Sequence, residues 1–259
     1  MPHRDPREDW RRFDVGAIPS KRSTPHLDRF LVDHGAAAGH APPTLLDVGC
    51  GDGRLAGRMH AMGFSVVGID VSPAAVRAAT ELACCAEPPG HSLRFHVADV
   101  AGDDPPRIEG GPFDLVVCQL VLSIIGGPRH RNNLLRHVHE NLRPGGWLSL
   151  SASGVSDAIN PGYARLYADD FPLTGERHSY YSRAEDGRIL YLTHHFTAAE
   201  LAALLESAGF GDVDVTTERE ASSRRPDEAA YFLYATARRA APDREDNRRN
   251  SGTHAPAPP

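Results

Sequence analysis

Short apolar runs alternate with helical stripes along most of this chain. Thr44 to Val48, Ser65 to Ile69, Leu93 to Val97 and Phe113 to Cys118 read as strands. The last is continuously apolar, which suits a parallel strand covered on both faces. Between them lie helix patterns. Leu55, Met59 and Met62 share one stripe of a helix over 53–62, and Gly63 is its stop. Ser72 caps the next helix, with Pro73 at its first position. Leu134, Leu135, Val138 and Leu142 form another face, ended by Arg143-Pro144-Gly145-Gly146, and Trp147 to Ser151 is a fifth strand. Thr197-Ala198-Ala199-Glu200 is a capping box for a helix that Gly209 stops. Asp212 to Thr217 and Ala230 to Thr236 are the last two strands. The alternation predicts an α/β doubly wound fold, mostly parallel, with ligands at the carboxyl ends of the strands.

One interval breaks the pattern. Residues 152–192 are too long for a plain connection and form an insert. Asn160-Pro161 starts a helix with Tyr163, Leu166, Tyr167 and Asp170 on one stripe, and Phe171-Pro172 ends it. His178 to Arg183 and Arg188 to Phe196 flank the turn signal Asp186-Gly187, which predicts a hairpin. At the N-terminus, a charged, proline-broken stretch leads into a short helix over Asp28 to His34. From Ala240 the chain is rich in Pro, Arg and Asp without apolar periodicity, and disorder is expected there. The chain divides into an N-terminal segment over 1–41, a main domain over 42–239 and a tail over 240–259.

Composition narrows the function. With 259 residues and 41% hydrophobic content there is material for one ordinary core. A net charge of −6 does not suit electrostatic nucleic-acid binding. There is no apolar run of membrane-span length and no signal-peptide pattern, so no membrane partner and a cytoplasmic location are expected. The four cysteines lack C-x-x-C spacing, so no metal is expected and a reducing compartment fits.

The stretch that carries chemistry is Leu45-Leu46-Asp47-Val48-Gly49-Cys50-Gly51-Asp52-Gly53-Arg54, a strand, a glycine turn and a helix start. The dinucleotide fingerprint G-x-G-x-x-G would need its third glycine at 54, where Arg stands. The pattern present, G-x-G-x-G with an acid before it, resembles motif I of the class I (Rossmann-like) S-adenosylmethionine-dependent methyltransferases. Asp70 at the tip of the second strand, Asp99 after the third and the run Leu142-Arg143-Pro144-Gly145-Gly146-Trp147-Leu148 fall in that family's order. The resemblance implies a seven-stranded sheet with an antiparallel last strand, and S-adenosyl-L-methionine as cofactor. It places Asp47, Gly49, Cys50 and Gly51 at the methionine and ribose end. Asp70 and Val71 would face the ribose, Asp99 and Val100 the adenine, and Gln119 the transferable methyl. The N-terminal segment over 1–41 would fold over the cofactor as a lid, where Lys21, Arg22 and Ser23 would meet the methionine carboxylate, or form an exposed basic cluster.

Inserts at this point of the family fold commonly roof the acceptor site. This one carries Tyr163, Tyr167, Tyr180 and Tyr191, which are expected to line a pocket for a small-molecule acceptor, in secondary or small-metabolite metabolism. The rivals are a methyltransferase acting on RNA or protein with a partner subunit, a catalytically silent cofactor-binding module, and an enzyme that uses the cofactor without transferring methyl. Alternation places Leu190, Leu192, His194 and Phe196 on one strand face and Tyr191, Thr193 and His195 on the other. The apolar face packs on the core, and the polar face points into the cleft. His195 is therefore the candidate base or acceptor-orienting group, and His194 is its structural neighbour. The competing reading is that both histidines only tie the insert to the helix at Thr197. The atom methylated and the oligomeric state are not readable from the sequence.

Overall fold

The computed structural model describes residues 10, 24–35, 42–84, 90–184, 186–222 and 227–241. Lys21, Arg22, Ser23 and the tail beyond 241 lie outside the described residues.

In chain order the elements are α1 (Pro25–Gly35), β1 (Thr44–Val48), α2 (Arg54–Ala61), β2 (Ser65–Asp70), α3 (Pro73–Cys84), β3 (Leu93–Val97) and β4 (Phe113–Gln119). Then come α4 (Pro128–Asn141), β5 (Leu142–Gly154), α5 (Pro161–Thr174), β6 (Ser179–Arg183), β7 (Ile189–His194), α6 (Ala198–Ser207), β8 (Phe210–Ala221) and β9 (Ala229–Arg239). One seven-stranded sheet has the order β3-β2-β1-β4-β5-β9-β8. The pairs from β3 to β5 are parallel, and β9 runs antiparallel between β5 and β8. The doubly wound fold and its antiparallel strand are as the sequence predicts.

Period-two alternation splits the apolar strand residues between two cores. Leu45, Val66, Leu115 and Val117 pack with Leu27, Phe30, Leu31 and Met59 of α1 and α2. Leu46, Val67, Val116 and Cys118 face the other way, against Leu134, Leu135 and Val138 of α4 and Leu201 and Leu205 of α6. Burial of helices on both faces is what a parallel sheet of such residues requires. Asp114 interrupts the apolar run of β4 because it joins strands: its Oδ2 accepts from the Thr44 backbone N–H at 2.9 Å and from the Thr44 hydroxyl at 2.7 Å.

The structure moves several boundaries. β5 starts at Leu142, which pairs with Phe113; pairing then resumes at Leu115 with Trp147, and the Pro-Gly-Gly residues bulge out between. It also continues to Gly154, because Ala152–Gly154 pair with Leu233–Tyr231 of β9. The insert therefore begins after residue 154 and not at 152. α5 passes through Pro172 to Thr174. A proline in a last turn removes one N–H only, and Gly175, at φ 62°, closes the helix by donating to the Phe171 carbonyl at 2.8 Å. The β6–β7 hairpin forms as predicted, with a bulge at Ser182/Arg183 that leaves the alternation from Tyr191 to His194 intact. Among the described residues, no helix is long and apolar enough to cross a membrane.

Candidate active site

A cavity of about 1530 Å³ opens at the carboxyl ends of β1, β2 and β4 and runs beneath the insert. Its first wall is the turn between β1 and α2. Gly49 and Gly51 have φ of 72° and 54°, the left-handed region that an L side chain rarely adopts. The two glycines serve different ends. A Cβ on Gly49 would stand 2.3 Å from Val121 Cγ2, so that position is closed by packing. A Cβ on Gly51 would meet nothing within 4 Å, so its backbone faces open space on the cavity wall.

Carboxylates ring this wall. Asp70 accepts from the Gly51 N–H at 3.0 Å and the Ser72 N–H at 2.9 Å, tying the first turn to the next. Burial raises its pKa against the pull of those N–H groups. Asp47 is buried, and its Oδ2 finds no hydrogen-bond partner. Burial, with Asp70 adding to it, pushes its carboxyl up to about 7. Asp99 accepts from the Ala101 N–H at 3.2 Å, and Val100 is buried beside it. Asp47, Asp70 and Asp99 all line the cavity, as do Cys50, Val71 and Val100. An orphaned buried acid beside an open glycine turn suits a ligand that carries positive charge.

The floor follows β4. Gln119 lines the cavity, and its Oε1 accepts from the Ser151 hydroxyl at 2.9 Å. Leu120 next to it sits at φ 60°, a strained conformation for a non-glycine residue. Its N–H is held by the Ser151 carbonyl at 2.9 Å and hydroxyl at 3.1 Å. The bend carries Val121 onto Gly49. No sequence signal marks Leu120.

The far wall belongs to the insert. Tyr163, Tyr180, Tyr191, Thr193 and His195 reach the cavity, so the cleft-facing strand face is the one alternation predicts. His195 is buried, with the Tyr167 hydroxyl 2.7 Å from Nδ1 and the Tyr180 hydroxyl 3.4 Å from Nε2. Burial, then its neighbours His194 and His178, pulls its pKa down to about 3. The imidazole is therefore neutral near pH 7, donating to one tyrosine and accepting from the other. Burial raises the Tyr180 and Tyr167 phenols.

Two residues expected at the site stand off the cavity wall. Tyr167 lies behind His195, with its ring also against those of Tyr163 and Tyr180, and does not itself line the cavity. His194 points the other way: Nδ1 is 2.8 Å from the Ser179 hydroxyl and Nε2 is 3.0 Å from Glu200 Oε1. Glu200 also completes the capping box of α6. One residue that sequence reasoning missed is Trp10, which lines the cavity and meets Tyr191 ring to ring at 4.4 Å. A lone tryptophan in a charged N-terminal stretch gives no pattern to read.

Known proteins are similar to this chain in sequence and in fold. A family model described as a methyltransferase domain matches residues 24–215. The ubiquinone biosynthesis O-methyltransferase of Xanthomonas euvesicatoria is 30% identical over 185 residues, 66% of this chain and 64% of that protein. That of Albidiferax ferrireducens is 34% identical over 108 residues, 41% of this chain; the chain spans only 40% of that protein's length. Among solved structures, a SAM-dependent methyltransferase from Methanosarcina mazei superposes with a TM-score of 0.73 at 24% identity, over 86% of this chain and 100% of that one. The 1,6-didemethyltoxoflavin-N1-methyltransferase of Burkholderia thailandensis, solved with S-adenosylhomocysteine, gives 0.55 at 23% identity, over 83% and 79%. The two structural likenesses establish the fold. The family match covers the glycine turn, the carboxylate ring and the β4 floor together. A ligand with a cationic sulfonium and a cationic ammonium group answers the charge of that wall. With fold, match and wall in agreement, this chain is a member of the class I S-adenosylmethionine-dependent methyltransferases.

Proposed function

We propose that the chain methylates a small-molecule acceptor, on oxygen or nitrogen, held under the insert between β5 and α6. The observation that carries this reading is that a single cavity joins the Gly49–Gly53 turn to the Tyr163, Tyr180 and His195 wall. S-adenosylmethionine, when bound, supplies a methyl group made electrophilic by the positive sulfur. Asp47, Asp70, Asp99 and the Gly51 backbone would hold it on the first wall. The chain's own task is then to position and desolvate the acceptor. Holding reacting atoms in near-attack geometry, about 3–3.5 Å apart, supplies several kcal/mol.

His195 serves this task as a neutral orienting group. A base works best with a pKa near the operating pH, and burial takes His195 far below it. Its long contact to Tyr180 is the one an acceptor hydroxyl can replace, while Tyr167 holds the opposite ring nitrogen. The O-methyltransferase relatives favour oxygen as the atom methylated. A pocket lined by these rings supports a role in small-metabolite or natural-product metabolism.

The test is turnover. The purified chain, S-adenosylmethionine and a metabolite extract should yield S-adenosylhomocysteine and a product one methyl heavier. Absence of both across extracts would favour a silent binding module.

A further inference from the structure

We propose that the acceptor chamber selects flat, uncharged aromatic molecules, and that Asp170 sets this selectivity by caging Arg183. This rests on the reading that a small acceptor is methylated beneath the insert. Arg183 lines the cavity and, among the described residues, is the cation of the insert wall. Its charge is already paired: its Nη1 and Nη2 donate to the two oxygens of Asp170 at 2.7 and 2.6 Å, and Nη1 also donates to the Tyr181 carbonyl at 2.9 Å. Asp170 is buried, and it accepts from the Tyr181 N–H at 2.8 Å as well. Burial acts to raise its carboxyl, but Arg183 and that N–H outweigh it and hold the group below its ordinary range. The pair is charged on both sides and neutral in sum.

The other charged side chains on the described cavity wall stand on the cofactor half. Arg58 pairs with Asp28 at 2.7 Å and Arg54 with Asp52 at 3.1 Å. Asp47, Asp70 and Asp99 surround the glycine turn. The acceptor half offers the rings of Tyr163, Tyr180, Tyr191, Trp10 and Phe232, with neutral His195 among them. Tyr163 and His195 have ring centroids 4.9 Å apart. An anion entering there sheds its hydration without gaining a free cation, and a cation gains no free anion. A neutral aromatic ring loses little water and meets ring faces and edges. Asp170 is thus a positioning residue that acts through Arg183.

Calorimetric titration of the full chain saturated with S-adenosylhomocysteine decides the matter. The probes are methyl protocatechuate, protocatechuate and dopamine: one catechol ring with no charge, a negative charge and a positive charge. The ester should bind at least about tenfold tighter than either ion. Its affinity should hold steady when sodium chloride is raised about tenfold, since no ligand charge is being screened. Asp170→Asn frees Arg183, so protocatechuate should gain about tenfold relative to the ester, and Asp170→Glu should restore the wild-type order. If the Asn variant does not fold, Asp170→Ser takes its place, and an unchanged ester-to-protocatechuate ratio in the folded variant overturns the role given to Asp170. Equal or tighter binding of either ion, or no binding of the ester, overturns the proposal. Ester binding without turnover would count against the methyl-transfer reading and leave this one standing.

Discussion

The two walls of the cavity are built from different material. The wall proposed to hold the cofactor is mostly backbone: left-handed glycines, N–H groups and short acids whose hydrogen bonds tie one turn to the next. The wall proposed to face the acceptor is mostly long side chains from an insert, fixed by contacts among themselves, such as Tyr167 to His195 and Asp170 to Arg183. Backbone geometry tolerates few alternatives, so it suits a constant ligand. A wall of side chains can be changed one residue at a time without disturbing the sheet, so it suits a ligand that differs between relatives.

The sharpest way to break this contrast is at the glycines. Gly49→Ala adds a Cβ at φ 72° against Val121. Backbone strain and overpacking together should cost about 2–5 kcal/mol of stability. Gly51→Ala carries only the strain, about 1–2 kcal/mol, and should instead weaken cofactor binding. Thermal unfolding of the two variants checks the order, and equal melting losses would refute the division of roles. Next in size is Asp70→Ala. Losing charge-assisted hydrogen bonds should cost about 2–4 kcal/mol of cofactor affinity, tens- to hundreds-fold by calorimetry. An unchanged affinity would remove Asp70 from the cofactor wall.

The acceptor wall should respond separately. His195→Gln should lower turnover about ten- to a hundredfold, a loss of roughly 1.4–2.7 kcal/mol, with S-adenosylhomocysteine affinity within about twofold. The wild-type rate should show no acidic limb from His195 between pH 5.5 and 9, because its imidazole is already neutral there. An acidic limb that vanishes in the Gln variant would restore the base assignment.

A separate effect is on pH and stability, where the walls pull in opposite directions. His195 falls from 6.5 to about 3 on folding. Below pH 6.5 the unfolded chain takes up a proton that the folded one refuses, so acid erodes stability, by about 2 kcal/mol at pH 5. Asp47 rises from 3.8 to about 7 on folding. Its stabilisation is complete below 3.8 and is lost as the pH climbs toward 7. Between pH 4 and 6.5 the two slopes oppose each other. Denaturant titrations should therefore show His195→Gln losing stability, relative to wild type, as pH rises through that window. Asp47→Asn should show the reverse slope, and parallel curves for both variants would contradict the opposition.

The difference between the walls also explains what the sequence disclosed. The turn at Gly49–Gly53, the Ser72 cap and the Thr197 capping box are local: φ requirements and hydrogen bonds within a few residues demand those residue types. The same holds for the His195 face, since alternation along one short strand needs no distant information. The rest depended on partners far along the chain. β5 gains Ala152–Gly154 only because β9 is present to pair with them. Tyr167 and Tyr163 share a helical stripe, and only the arrival of β7 decides that Tyr167 backs His195 while Tyr163 lines the cavity. Nothing in the sequence ties Arg183 at the end of β6 to Asp170 on α5, and only the fold sets them together.

The position of β9 has a consequence for how the molecule comes into being. It follows every other strand in sequence, yet it is an interior strand of the sheet, inserted between β5 and β8. Ala230 and Phe232 on it complete the cavity wall. The units from β1 to β4 can form from neighbouring segments as they leave the ribosome. The β5 edge, however, stays unpaired until β9 has been made. Distant pairings of this kind are late and slow, and an open apolar edge invites aggregation while it waits. A nascent chain arrested before Ala229 should thus bind chaperones and lack the acceptor pocket, while release of the full strand closes sheet and pocket in one event.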